Sequence, residues 1–198
     1  MKHLHAKKEV SSSKRILVET SARHIHLSKK DADNLFGNSY SFHKLRKLSQ
    51  PAQYSVRETL DLIGRKSTLK NVRIILPTRK NSQVEVSITD CYSLGIKPVL
   101  RMSGNTIGTP KIIIKGPNGE IKAPAIVAKR HLHLSDAEAK ELNVRNNQKV
   151  RIMIKGKRAL LLDEIITRVG NEHKSALHLD TDEANAAMIK GKTTGELL

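Results

Sequence analysis

Cys91 is the only cysteine in the sequence, so no disulfide can form within the chain, and a reducing compartment, the cytoplasm, is the expected setting. No apolar run approaches the roughly 18 residues of a membrane-spanning helix, which argues against a membrane. The start, "MKHLHAKKEVSSSKR", has no apolar block for a signal peptide and no amphipathic face for a targeting helix. Residues 1–14 therefore read as a disordered polar tail. Tryptophan is absent, and the aromatics are limited to Phe36, Tyr40, Phe42, Tyr54 and Tyr92. Acidic residues are also scarce: 19 against 36 Lys and Arg, a formal charge of +17. Such a surface draws anions. Nucleic acid and phosphate-rich small molecules are the two candidate partner classes. Scattered cations and few stacking rings count against nucleic acid.

The 198 residues make one ordinary domain or two small ones. Short β-type runs dominate: "RILVET", "NVRIILP", "QVEVSIT", "KIIIKGP", "APAIVAK", "KVRIMIKG" and "RALLLDEIITRV". Gly, Pro and Asn punctuate them, as expected of turns in a mainly antiparallel barrel or sandwich. Arg-His-x-His-Leu-Ser occurs twice, at His24/His26 and at His131/His133. Each copy continues into a helical stretch, with Ser28 or Ser135 in N-cap position and Asp31 or Glu138 three residues later. The repetition predicts an internal duplication: two related β-barrel lobes with short capping helices. The expected division is 15–123 for the first lobe and 124–198 for the second, with the C-terminal segment a candidate to return to the first lobe.

On a strand, residues two apart share a face, so both imidazoles of each pair can approach one ion. Neutral imidazole suits zinc and related divalent metals, but two ligands need a third. His178 in "SALHLDTDEANAAM" is one candidate, with Asp180 read as the cap of a helix beginning near Thr181. Glu85 is another, although the alternation of "SQVEVSITD" alone reads it as a solvated strand carboxylate. His3/His5 has the same spacing without the repeated context and is assigned no site. His43 and His173 read as surface residues.

Taken together, "RHIHLS", "LSQPAQY", "QVEVSITD", "SGNTIGTP", "RHLHLS" and "HLDTDEANAAM", in that order, resemble the PduL-type phosphotransacylases, which exchange an acyl group between coenzyme A and phosphate. The likeness spans Ile16 to Ile189. It implies two β-barrel lobes and two zinc ions per chain, one held by His24, His26 and Glu85, the other by His131, His133 and His178. It also implies that Arg79 meets the phosphate, that Ser103 lies close to the reacting groups, and that Gln50 and Gln53 belong to a coenzyme A contact. Ala52 and Leu76 stand where that family's pattern carries glycine, and the N-terminal tail does not resemble the amphipathic segment of family members packaged in bacterial microcompartments, so the resemblance does not imply packaging here. The implied partners are acyl-CoA, phosphate and acyl phosphate, and a homodimer is one open arrangement. Two rival readings are a nucleic-acid-binding protein with structural zinc and a two-zinc hydrolase. The hydrolase reading lacks an evident bridging carboxylate.

Overall fold

A computed structural model describes residues 15–198; the expected polar tail, with His3 and His5, lies outside the described residues. The first half of the chain runs β1 (Arg15–Thr20), β2 (His24–His26), α1 (Lys29–Phe36), β3 (Lys44–Lys47), β4 (Tyr54–Ile63), β5 (Thr68–Leu76), β6 (Gln83–Glu85), α2 (Ile88–Leu94), β7 (Leu100–Arg101) and β8 (Lys111–Gly116). The second half repeats this order without counterparts of β3 and β7: β9 (Gly119–Ala128), β10 (His131–Leu134), α3 (Asp136–Glu141), β11 (Lys149–Ile154), β12 (Leu160–Val169), β13 (Ala176–Leu179), α4 (Thr181–Ala186) and β14 (Lys192–Leu197).

Alternation in the sequence sets which face each strand buries. Val150, Ile152 and Ile154 of β11 turn inward between Lys149, Arg151 and Met153, as Ile112 and Ile114 of β8 do in the other lobe. Each lobe closes into a six-stranded ring around its own apolar core. One ring runs β4-β5-β2-β6-β9-β8 and returns to β4, with β3 and β7 attached at its margins. The other runs β1-β13-β10-β12-β11-β14 and returns to β1. Closure leaves neither ring with a free edge.

The lobes exchange a strand, which corrects the expected division. β1 pairs with β13 and β14 in the second ring, although its sequence leads into β2 of the first. β9 pairs with β6 and β8 in the first ring and leads into β10 of the second. The C-terminal β14 closes the second ring against β1 and β11 and does not return to the first. The connections 21–23 and 129–130 must each cross from one ring to the other. Such short links, at under about 3.6 Å per residue, keep both His-x-His strands at the boundary between lobes.

The helices follow their caps. Ser28 and Ser135 accept hydrogen bonds from the backbone N–H of Asp31 and Glu138, and Asp180 caps α4 with Glu183 completing a capping box. The run "QVEVSIT" departs from its expected strand: β6 stops at Glu85, Ser87 caps, and α2 begins at Ile88. The Ser87/Asp90 capping box at this site overrides the β-branched residues around it.

Candidate metal and anion site

Each candidate third ligand stands directly across an antiparallel pair from a histidine of the repeated motif. His24 of β2 faces Glu85 of β6, and His131 of β10 faces His178 of β13. Leu132 and Leu134 fill the second core from the inner face of β10, which leaves His131 and His133 on the outer face, buried nonetheless.

In the first cluster, His24 Nδ1 lies 2.9 Å from the Ala22 carbonyl oxygen. That oxygen can only accept, so Nδ1 carries the proton and Nε2 keeps its lone pair. His24 Nε2 and His26 Nε2 are 3.1 Å apart, and Glu85 oxygens lie 3.7 Å and 3.8 Å from them. A tetrahedral zinc with nitrogen and oxygen ligands near 2 Å would need donor separations of about 3.3 Å. The donors bracket that value, and the Ala22 carbonyl fixes the tautomer as an outer partner of a metal-bound histidine would. The second cluster repeats the device: His131 Nδ1 is 2.8 Å from the Lys129 carbonyl oxygen, and the donor atoms of His131, His133 and His178 all lie within 4.8 Å of one another. His26 Nδ1 and His133 Nδ1 are both buried without a hydrogen-bond partner. Both donor sets fit a divalent ion of the zinc type.

Burial lowers the His131 imidazole to about 4, with His178 adding to the effect, and also holds His26 and His133 well below the usual histidine range. Neutral imidazole is the ligating form. Burial by itself would raise the Glu85 carboxyl, but His24, His26, the Ser103 hydroxyl and Arg79 hold it at about 2. A small crevice between the lobes is lined by Glu85 from one cluster and by His131 and His178 from the other.

Arg79 and Ser103 converge on Glu85, which lines this crevice. The backbone N–H of Arg79 donates to the Leu27 carbonyl at the end of β2, tying the arginine loop to the His-x-His strand. Its Nη1 donates to Ser103 Oγ at 2.9 Å, and Ser103 donates to Glu85 Oε1 at 2.6 Å. Gln83, two residues before Glu85 on the same face of β6, donates to Glu85 Oε1 at 2.7 Å and accepts from Gly104 N–H at 2.8 Å. Sequence reasoning assigned Gln83 no role, though the alternation that placed Glu85 also places Gln83 beside it.

Three other placements were not legible locally. Gln50 is buried, and its amide is committed across the lobes: Nε2 donates to the Lys174 carbonyl at 2.9 Å and Oε1 accepts from Lys174 N–H at 3.3 Å. Gln53 is half-buried beside it. His173, expected at the surface, lies with its ring centroid 4.4 Å from that of His133, whereas His43 is exposed and pairs with Glu58 at 2.6 Å. Glu19 of the exchanged strand β1 puts a carboxylate oxygen 3.6 Å from His178 Nε2; the His178 contact, outweighing burial, and Lys192 hold it at about 2.

A family model described as phosphate propanoyltransferase matches residues 17–190. Among similar proteins are phosphate propanoyltransferases of Thermotoga maritima (41% identical, covering 92% of this chain and 87% of the relative), Clostridioides difficile (40%, covering 92% and 88%) and Sebaldella termitidis (39%, covering 94% and 89%). Among the described residues no helix is long and apolar enough to cross a membrane. The extent of these matches makes the chain a member of the phosphate propanoyltransferase family.

Proposed function

We propose that the chain is a phosphate acyltransferase that moves a short acyl group, propanoyl or acetyl, between coenzyme A and inorganic phosphate. The observation that carries this reading is the convergence of two metal-competent clusters on one crevice, with Arg79 held beside them by Ser103. His24, His26 and Glu85 would hold one zinc ion, and His131, His133 and His178 the other. Bound there, such ions supply Lewis-acid polarisation to phosphate or thioester oxygen.

The remaining work falls to the chain. Phosphate is already anionic near neutral pH, so positioning and desolvation outweigh deprotonation. Arg79 presents a planar fork to two phosphate oxygens, aimed by its hydrogen bond to Ser103. A phosphate oxygen attacks the thioester carbon, the carbon–sulfur bond breaks, and the proton carried by hydrogen phosphate ends on the departing coenzyme A sulfur. No acyl-enzyme is needed. Cys91 is buried, and burial with the nearby Asp90 charge raises its thiol to about 11, which makes it a poor nucleophile. Gln50 braces the 170–175 loop through Lys174, which leaves Gln53 as the half-buried amide of that segment offered to coenzyme A. The formal charge of +17 would steer anionic substrates to the crevice. A buried, lone cysteine fits a cytoplasmic setting.

The decisive experiment measures bound metal per chain and follows thiol release from propanoyl-CoA and acetyl-CoA with and without phosphate. Phosphate-dependent release by a protein carrying two ions is the expected result. Release independent of phosphate would point to a hydrolase, and full turnover after complete metal removal would end the metal assignment.

A further inference from the structure

We propose that Arg168 is a second guanidinium of the phosphate site, meeting the anion from the second lobe while Arg79 meets it from the first. The proposal rests on the acyltransferase reading above and goes beyond it, because the family resemblance assigns a role to Arg79 alone.

Strand register places Arg168. It pairs with His133 across the parallel strands β12 and β10, so both side chains leave the same face of the sheet. Its neighbours at alternate positions, Ile165 and Thr167, turn into the ring and are fully buried. Arg168 therefore stands on the outer, cluster-bearing face.

Its lack of a partner is the second observation. The other arginines around the clusters are engaged: Arg23 with Asp90, Arg130 with Glu183, and Arg79 with Ser103. Arg168 is half-buried, yet its side chain makes no hydrogen bond or ion pair among the described residues. None of its nitrogens is among the fully buried unpartnered atoms, so they remain open to water and to an incoming anion, which a guanidinium binds through charge-assisted hydrogen bonds. Glu85 is not its acceptor: the ion-pair contacts of that carboxylate are with His24, His26 and Arg79.

Placement adds to this: Arg79 Nη1 lies 4.0 Å from Glu85 Oε1, Arg168 pairs in register with His133, and Glu85, His131 and His178 line one crevice between the lobes. A tetrahedral dianion held between the two guanidinium groups offers oxygens to both forks and balances their charge. This arrangement would bind phosphate only when the lobes are docked, with each lobe contributing one cluster and one arginine. The phosphates of coenzyme A present the same phosphoryl chemistry and form the other arm of the test.

The test compares wild type, Arg168→Met and Arg168→Lys, each with bound metal quantified. Melting temperature is followed against inorganic phosphate and, separately, against coenzyme A; KM for phosphate and for propanoyl-CoA is then measured. In Arg168→Met the half-saturating phosphate concentration should rise roughly tenfold to a hundredfold, as for loss of a charge-assisted fork. The coenzyme A response and metal content should hold, and Arg168→Lys should recover part of the loss. A wild-type phosphate response in Arg168→Met overturns the assignment. So does selective loss of the coenzyme A response, which would make Arg168 a reader of the cofactor. If Arg168→Met does not melt cooperatively, Arg168→Lys decides, because a lysine without the planar fork should still raise the phosphate requirement. A wild type that ignores phosphate in both assays removes this assignment together with the reading beneath it, whereas an active wild type with unchanged variants removes the assignment alone.

Discussion

Arg23 grips Asp90 along one edge of its guanidinium: Nη2 reaches Oδ1 at 2.6 Å and Nε donates to Oδ2 at 2.9 Å. Asp90 also completes the capping box of α2, the helix that starts just after Glu85. The arginine of the first repeated motif thus braces the segment that carries Glu85. Arg130 does the same in the second lobe, with its Nε 2.7 Å from Glu183, the capping-box acid of α4. Replacing Arg23 by Ala leaves a buried carboxylate without its ion partner. Arg23 is partly exposed, so the expected loss is nearer the cost of a charged hydrogen bond, about 1.5–3 kcal/mol, than that of a fully buried pair. Chemical denaturation measures it, and an unchanged midpoint would show that Arg23 is dispensable.

Removal of one ligand should separate the two clusters. His131→Ala is expected to bind one ion per chain in place of two and to lose turnover by at least about a hundredfold. His24→Ala should give the complementary loss from the first lobe. Elemental analysis of the purified variants provides the count; two ions retained in His131→Ala would remove that residue from the ligand set.

Acid should destabilise the metal-free protein. The unfolded chain takes up a proton on each histidine near pH 6.5, whereas folded His131 does so only near pH 4. Between these values the unfolded state binds more protons, so stability is complete above about 6.5 and declines as pH falls towards 4. Glu85, held at about 2, adds a further decline below its ordinary value of 4.5. Melting temperatures of chelator-treated protein at pH 7.5, 6, 5 and 4 should fall in sequence. A flat profile would contradict the burial of neutral imidazoles.

Cys91 should be chemically silent. With its thiol raised to about 11 and its side chain buried, alkylation at pH 8 is expected only after unfolding. Cys91→Ala should retain kcat within about twofold, since no step requires a thiolate. A trapped acyl-cysteine, or ping-pong kinetics, would overturn direct transfer.

Ala52 occupies a position suited to glycine. Its φ of 58° lies in the left-handed region, which costs a residue bearing a Cβ about 1–2 kcal/mol. Because the side chain is exposed, Ala52→Gly loses little packing, and the extra freedom of glycine in the unfolded chain offsets part of the relief. A net gain of up to about 1 kcal/mol is expected in denaturant titration; destabilisation would show that the Ala52 methyl has a packing role.

What could be read from the chain alone was whatever repeats or alternates locally. The His-x-His pairs, their serine caps and the two-lobed β architecture follow from spacing and duplication, because strand period and helix capping act over a few residues. Family resemblance favoured Glu85 over its reading as a solvated strand carboxylate and singled out Arg79, which composition could not separate from other surface charges. Tertiary structure alone decided the pairing of His24 with Glu85, the exchange of β1 and β9, the clamp of Gln50 on Lys174 and the half-buried, unpartnered state of Arg168. These relationships join residues from roughly 60 to more than 120 positions apart, or depend on what a side chain fails to meet. They are set by ring closure and lobe docking, and no local periodicity encodes either.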